Sequence, residues 1–333
     1  MNKYLITGFS GFVSKHFIQY LEHQKIPSFI LGLDLTEPDF RIASESFKYI
    51  KCEFIKIDLL DKEKIKNIIF QFSPEYILHL ASFSSVAFSW KEPLLSFQNN
   101  TNIFLNLLET IREFNLKTRV LSIGSSEEYG DISEDQLPLR EETPLNPISP
   151  YAVARVSQEL LSKIYVNAFG LDIVLTRSFN HIGPGQKEIF VVSSFVKQLV
   201  EIKLNGLTQG ELTTGDVNII RDFLDVRDVV AAYYNLLKKG KRGEIYNVCS
   251  GHGITLEEVI QKIAILLKIK VTIKPCNSLI RPNDNKIIIG SNLKINKELG
   301  WQAEYSIERS LIDLIDYWEL QLKDKIEYEC EEK

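Results

Sequence analysis

The sequence predicts an α/β protein with a doubly wound parallel sheet and a smaller substrate-binding domain towards the C-terminus. Over the first 180 residues, short apolar runs alternate with segments of helical period. Such alternation is typical of parallel βαβ units with helices on both faces of the sheet. A glycine-bearing turn follows the first apolar run, in YLITGFSGFVS at residues 4–14. After about residue 180 the sequence becomes rich in loops, which indicates a change of architecture.

Six apolar runs are predicted strands of the sheet: YLIT, FILGLD, CEFIKID, YILHLA, RVLSIGS and LDIVLTRSF. Right-handed crossovers place the carboxyl ends of such strands at one edge, where ligands bind. We assign residues 1–180 to this first domain and expect 225–250, with a helix and the strand GEIYNVCSG, to return to it. Segments 181–224 and 251–325 are assigned to the second domain, and 326–333 form an acidic tail.

The glycine turn after the first strand has the pattern of a dinucleotide site. Gly8 allows a tight turn and Gly11 lets the backbone approach a phosphate, while the helix that begins there offers unpaired N–H groups. The third small position of the pattern is Ser14. Asp34 ends the second strand, where a carboxylate accepts hydrogen bonds from the adenine ribose. Since this charge repels a 2′-phosphate, the pattern predicts a Rossmann-type domain that binds NAD.

The candidate catalytic residues are Ser125, Tyr151 and Arg155. Ser125 follows a predicted strand in SIGSSEEYG, and SPYAVAR places Tyr151 and Arg155 one helical turn apart. In this setting a tyrosine exchanges a proton with a sugar oxygen, a serine hydroxyl hydrogen-bonds that oxygen, and a cation stabilises the phenolate. Arginine keeps its charge but is effectively never deprotonated, so it cannot relay a proton. Without the dinucleotide turn, the same pair would be read as an ordinary surface pair.

Further cofactor contacts are expected where other strands end. Asp58, after the third strand, is placed to meet the adenine amino edge. The complete predicted cofactor-binding set is Gly8, Ser10, Gly11, Phe12, Asp34, Asp58, Leu59, Ala81, Asn100, Tyr151 and Arg155.

Composition excludes several classes of partner. The formal net charge is −5, and no basic run is longer than KKGKR at 238–242, so no nucleic-acid partner is expected. The four cysteines show no paired spacing, which predicts a reduced cytoplasmic chain without a metal site. No apolar run reaches membrane-spanning length, and a strand begins almost at the first residue, so we expect neither a membrane anchor nor a cleavable signal.

Taken together, the motifs resemble the extended short-chain dehydrogenase/reductases that act on nucleotide sugars. The similarity is greatest to the GDP-4-keto-6-deoxy-mannose reductases and the GDP-mannose 4,6-dehydratases. Six motifs carry it: IGSSEEYG, SPYAVAR, RSFNHIGPGQ, RDFLDVRDVV, GEIYNVCSG and RP followed by IIIGSN. The chain departs from the family pattern at Ser14, where glycine or alanine is usual, and at Arg155, where lysine is usual.

The resemblance also implies a substrate site in the second domain. It places Asn180 and Arg221 near the substrate diphosphate, Arg281 against the diphosphate or ribose, and Ser126 among the substrate contacts. A diphosphate favours arginines and loop N–H donors, which agrees with these residue types. Alternatively, Arg221 forms a structural ion pair with Asp222, and Asn180 only fixes a turn.

Three hypotheses on function remain open at this stage. The first is NAD(H)-dependent reduction at C4 of a GDP-linked 4-keto sugar. The second is a 4,6-dehydratase or epimerase that recycles its NAD, with Glu127 as the acid/base that the dehydratases carry two positions after the catalytic serine or threonine. The third is a silenced sugar-nucleotide-binding protein. The resemblance further implies a homodimer through the helices at 97–114 and 150–168.

Overall fold

The computed structural model describes residues 1–38, 47–280, 283 and 285–331, with only the backbone described for 325–331. Seven parallel strands form the central sheet. Numbered along the chain, they are β1 (Asn2–Thr7), β2 (Ser28–Asp34), β3 (Ile50–Lys56), β4 (Tyr76–His79), β5 (Arg119–Ser125), β6 (Asp172–Ser178) and β10 (Ile245–Val248). Their order across the sheet is β10, β6, β5, β4, β1, β2, β3. The predicted doubly wound parallel sheet is confirmed.

Helices cover both faces of this sheet because its strands are apolar on both sides. One face carries α1 (Phe12–His23) and α7 (Val226–Lys239), which bury Phe17, Leu21, Tyr233 and Leu236. The other face carries α2 (Lys62–Phe72), α4 (Pro93–Glu113) and α5 (Pro150–Phe169), and the short α3 (Val86–Lys91) packs against α4 and α5. Two separate apolar cores therefore hold the sheet.

The second region is a smaller assembly with its own apolar core. In it β9 (Ile220–Asp225) pairs with β7 (Asn180–Ile182), β11 (Gly253–Thr255) and β13 (Ile287–Ile288), and β8 (Gln209–Thr214) pairs with β12 (Lys270–Pro275). Helices α6 (Val191–Leu204), α8 (Leu256–Leu267) and α10 (Ile307–Glu331) pack around these strands. None of the helices in the described ranges has the length and apolar composition needed to cross a membrane.

One helix departs from the expected division of the chain. α9 (Leu293–Leu299) lies within 251–325, which the sequence assigned wholly to the second domain. It packs instead against α7 and β10, and both Ile295 and Trp301 belong to the core cluster that α1 and α7 share. The Trp301 Nε1 donates to the carbonyl of Asp228 on α7 at 3.1 Å. Burial of these apolar side chains holds α9 on the first domain.

Candidate active site

The start of α5 positions the two most distinctive site residues. Ser149 caps the helix, with its Oγ accepting from Ala152 N at 3.1 Å, and Pro150 occupies the first turn, where its missing N–H costs nothing. Tyr151 therefore lies in the first helical turn and Arg155 in the next, on the same side. Both side chains are buried, at 6% and 5% exposure.

Arg155 holds its guanidinium against the tyrosine. Its Nε donates to the Tyr151 hydroxyl at 3.2 Å, its Nη1 donates to the Ile123 carbonyl at 2.9 Å and to Gln158 Oε1 at 2.6 Å, and its Nη2 donates to Ser82 Oγ. Within the described part of the chain, none of these hydrogen-bond partners is a carboxylate. Burying a charge without a counter-ion is costly, so this arrangement indicates a positive charge kept for the site.

Ser125 ends β5 and caps the short 3-10 helix Ser126–Tyr129, which packs against α5. Its Oγ accepts from the N–H of Glu127 at 3.2 Å, and its own N–H donates to Glu128 Oε1 at 2.6 Å. The Glu127 side chain is half-buried. Ser125 is thus fixed from both sides, and its hydroxyl proton is left to donate elsewhere.

Glu128 is a buried acid behind the serine. It is fully buried, and both burial and the neighbouring Glu159 carboxylate raise its pKa to about 8. The absence of a side chain at Gly124 makes room for it, because a Cβ there would lie 2.3 Å from Glu128 Oε1. Since the carboxyl is mostly protonated at neutral pH, it acts on Ser125 as a neutral acceptor.

The glycine turn fits a dinucleotide. Gly8 has φ +69°, and a Cβ there would lie 2.7 Å from Ala81 N, so the turn packs directly on the end of β4. Gly11, without a side chain, stands at the N-cap of α1 and leaves the first helical N–H groups for a phosphate. At the end of β2, Asp34 Oδ2 accepts from the N–H and hydroxyl of Ser10 at 2.8 and 2.6 Å. These residues would hold the pyrophosphate and adenine ribose of NAD(P).

The remaining predicted cofactor residues are not all placed alike. Phe12 is half-buried beside the loop that holds Gly185, whereas Asp58 is exposed and its Oδ1 accepts from Leu60 N at 2.8 Å. Leu59 is buried in the core. The Asn100 amide is buried and bonds both backbone groups of Phe83, at 2.8 and 3.2 Å. The Asn100 side chain therefore holds the loop after β4 in place.

The predicted substrate residues lie on three elements. Ser126 is buried in the 3-10 helix, and Asn180 begins β7, where it pairs in register with Phe223 of β9. Arg221 is buried on β9, and its Nη1 donates to the Ile220 carbonyl at 3.0 Å. The adjacent Asp222 accepts from Ser250, Gly251 and Gly290, so it organises loops. Arg281 lies outside the described residues.

A second polar network, centred on Tyr233, lies close to Tyr151. The Tyr233 hydroxyl meets Ser178 Oγ at 2.8 Å and His181 Nε2 at 3.3 Å, and burial lowers the pKa of His181 to about 4. His16 Nε2 lies 2.9 Å from the Pro184 carbonyl, so the loop after β7 is held against α1. The loop at 183–185, which follows β7 in the second region, therefore lies next to the glycine turn of the first region.

Sequence reasoning missed Ser82 and Gln158, which both hold Arg155. Only Gln158 could have been found from the sequence. It stands three residues after Arg155 and seven after Tyr151, so the spacing places all three on one face of the helix. Ser82 gave no signal of this contact, since it lies 73 residues away from Arg155 along the chain.

Comparison with known proteins places this site in a family. Residues 5–314 match the family described as GDP-mannose 4,6 dehydratase. The chain is 31% identical to the GDP-6-deoxy-D-mannose reductase of Pseudomonas aeruginosa, covering 96% of this chain and 98% of that one. It is 27% identical to the dTDP-glucose 4,6-dehydratase of Haemophilus influenzae, again covering 96% and 98%.

Solved structures agree with this similarity. The structure of RMD from Pseudomonas aeruginosa complexed with NADPH matches with a TM-score of 0.83 at 31% identity, covering 96% of this chain and all of that one. The UDP-glucose 4-epimerase of Thermus thermophilus in complex with NAD matches with a TM-score of 0.82 at 27% identity, covering 95% and 98%. The chain therefore belongs to the GDP-mannose 4,6-dehydratase family of NAD(P)-dependent extended short-chain dehydrogenase/reductases.

Proposed function

We propose that the chain reduces the 4-keto group of a GDP-linked deoxy-hexose, or of a related nucleotide-linked sugar, with NADH. The observation that supports this most directly is the 3.2 Å contact between Arg155 Nε and the Tyr151 hydroxyl in a buried setting. It gives the proton-donating tyrosine a permanent cationic neighbour. Similarity to the Pseudomonas aeruginosa GDP-6-deoxy-D-mannose reductase favours reduction and a GDP-linked substrate.

The residues divide the chemistry among them. Ser125 keeps its proton and donates a hydrogen bond from its hydroxyl to the carbonyl oxygen at C4, while one of its two lone pairs accepts from the Glu127 N–H. Tyr151 transfers its phenolic proton to the same oxygen as the ketone becomes an alcohol. Bound NADH supplies the hydride that C4 receives. Arg155 stabilises the phenolate that remains on Tyr151.

We propose that NAD(H) is preferred over NADP(H). The carboxylate of Asp34 lies at the end of β2, close to Ser10 and Thr36, where an added 2′-phosphate would meet negative charge. Titration should give a dissociation constant for NADPH about tenfold or more above that for NADH, a difference of about 1.4 kcal/mol. Asp34→Ala should bring the dissociation constants for NADPH and NADH closer together. Equal affinities in both proteins would show that Asp34 does not face the ribose.

A dehydratase or epimerase that recycles NAD internally is the second candidate. The half-buried Glu127, two residues after Ser125, favours it because a dehydratase needs an acid/base near C5 and C6. Similarity to the Haemophilus influenzae dTDP-glucose 4,6-dehydratase points the same way.

One experiment separates these functions. GDP-, CDP-, UDP- and dTDP-linked 4-keto sugars, and the parent nucleotide sugars, are incubated with the enzyme and NADH, and the products are identified by mass spectrometry and NMR. We expect stoichiometric NADH consumption with a GDP-linked 4-keto sugar. A sugar product formed without net NADH consumption would favour internal recycling, and binding without any product would favour a silenced protein.

We further propose a homodimer through α4 and α5. Large apolar side chains are exposed on these helices, including Leu94 at 86%, Leu160 at 51% and Ile164 at 55%. Leu160→Glu should convert a dimer into a monomer in light scattering after size exclusion. Ile265→Glu is the matched control, because Ile265 is 73% exposed on α8. A wild-type protein that is monomeric at micromolar concentration would contradict this assembly.

The proposed compartment is the cytoplasm. Cys52, Cys249 and Cys276 are free thiols, which fits a reducing environment. Thiol mapping of the protein isolated from cells should find these cysteines reduced, and a native disulfide among them would argue for another compartment.

A further inference from the structure

Gln158 touches the buried guanidinium that faces the catalytic tyrosine. Its Oε1 accepts from Arg155 Nη1 at 2.6 Å, which is among the shortest contacts of the network. Gln158 itself is 1% exposed, so its amide orientation is set by protein groups alone. It lies on the same face of α5 as Tyr151, two helical turns later.

The amide of Gln158 has one favourable orientation. Its Nε2 donates to Ser122 Oγ at 2.9 Å and to the Ile123 carbonyl at 3.1 Å, and Ser162 Oγ donates to the same Ser122 hydroxyl at 3.2 Å. Reversing the amide would direct N–H groups at the guanidinium and leave its oxygen facing the Ile123 carbonyl. Buried polar groups that lose their partners cost about 1–3 kcal/mol each, so this network fixes both side chains.

Most N–H groups of the Arg155 guanidinium already donate hydrogen bonds to protein groups. Of the five N–H groups of an arginine, the Nε proton meets Tyr151, both Nη1 protons meet Ile123 and Gln158, and one Nη2 proton meets Ser82. Within the described residues this leaves one N–H for a ligand. Arg155 therefore contributes mainly a fixed positive charge next to the Tyr151 oxygen.

A neutral acceptor matters here because a carboxylate would cancel that charge. We propose that Gln158 is a positioning residue of the active site, which holds Arg155 against Tyr151 by a neutral hydrogen bond and so preserves the positive charge for the phenolate. The inference rests on the proposed role of Tyr151 as proton donor. The role of Gln158 also explains how an arginine can supply the positive charge beside Tyr151 at a position where the family pattern has a lysine.

The test uses Gln158→Glu in the full-length enzyme. The substitution keeps the shape and the acceptor but places a carboxylate on the guanidinium. The new ion pair with Arg155 should offset part of the loss of the Nε2 hydrogen bonds to Ser122 and the Ile123 carbonyl, so the variant should fold with somewhat lower stability than wild type. Turnover should nevertheless fall by about tenfold, and the pH at which the oxidative rate is half-maximal should rise by about one unit, since phenolate formation loses its favourable neighbour. KM should change little.

Two further variants complete the test. Gln19→Glu adds the same charge at an exposed position of α1 and should leave turnover unchanged. Gln158→Leu removes the acceptor without adding charge and should lower turnover with a smaller pH shift. It also replaces Gln158→Glu if that variant does not fold. Wild-type turnover and an unmoved pH profile in the Gln158 variant that folds would overturn the proposal.

A readout that does not require turnover separates this inference from the proposed function. The ultraviolet absorbance of tyrosinate is titrated in the wild type and in Tyr151→Phe, and the difference reports Tyr151. In Gln158→Glu this difference should appear at higher pH. If no sugar is turned over by the wild type but the shift is seen, the proposed reaction is wrong and the role of Gln158 stands. An unshifted titration would reject the role of Gln158.

Discussion

Two buried arginines at the same edge of the sheet have opposite surroundings. Arg177 on β6 is 2% exposed, and its Nε and Nη2 donate to both carboxylate oxygens of Glu159, at 2.9 and 3.0 Å. Arg155 is equally buried, but within the described residues its hydrogen bonds go to neutral groups only. The first charge is neutralised inside the fold, whereas the second stays available to Tyr151. Burial of a cation thus serves structure in one place and, in the mechanism that we propose, chemistry in the other.

Of the tests of this difference between the two arginines, removal of the Tyr151 hydroxyl should have the largest effect. In Tyr151→Phe the ring still packs but the proton donor is lost. Turnover should fall roughly 10²–10⁴-fold, the usual scale of general acid–base catalysis, with little change in substrate affinity. Steady-state kinetics with a separate binding measurement would check this. A nearly unchanged rate would remove Tyr151 from the mechanism and leave Arg155 without a catalytic partner.

The structural arginine is tested through its carboxylate. In Glu159→Gln the buried Arg177 loses its counter-ion, and the free energy of unfolding should fall by about 3–5 kcal/mol. Urea denaturation measures this. Glu113→Gln breaks the more exposed pair with Lys66, 2.6 Å long, and should leave the free energy of unfolding almost unchanged, because solvent screens this pair. If the two variants lose equal stability, the burial of the Arg177 pair has no special effect.

The charge of Arg155 is tested by removing it and then restoring it. In Arg155→Ala the oxidative reaction should need a higher pH, by about one unit, because the phenolate loses its cationic neighbour. Arg155→Lys should recover much of the lost activity, since it returns a positive charge to the same turn of α5. The pH–rate profiles of the three proteins decide this. Superimposable profiles in Arg155→Ala and the wild type would show that the charge does not act on Tyr151.

The smallest effect concerns Glu128, which lies close enough to Glu159, Arg177 and Arg155 for all three to act on its charge. Its pKa is raised to about 8 from 4.5, so between these values the folded protein binds more protons than the unfolded chain. The stability that this group contributes is fully present below pH 4.5 and is lost as the pH rises through about 8.

The experiment compares melting temperatures at about pH 7.5 and about pH 9, a window that lies above the pKa of about 6.5 of an ordinary histidine. The lowered pKa values of His79, about 3, and His181, about 4, act only below this window. The wild type should lose more stability over this range than Glu128→Gln. Equal losses in both proteins would mean that Glu128 titrates normally in the fold.

The central sheet was predictable because its strands are short apolar runs that end in recognisable turns. The positions of Gly8, Asp34 and Tyr151 in the fold were predictable in the same way, since each has a fixed place relative to a strand or a helix start. The partners of Arg155 were not predictable, because Ser82 and the Ile123 carbonyl reach it only through the packing of β4 and β5 beside α5. The hydrogen bonds of the Asn100 amide to the Phe83 backbone were not predictable for a related reason, since nothing local in the sequence indicates them.

The path of the chain makes the two regions inseparable. After β6 it enters β7, returns through α7, leaves again after β10, and comes back once more as α9. A fragment that ended at residue 180 would lack α7 and α9, and the apolar face that Tyr233, Leu236 and Trp301 cover would be open to water. A protein cut at the apparent domain boundary is therefore expected to aggregate, because it exposes this apolar face.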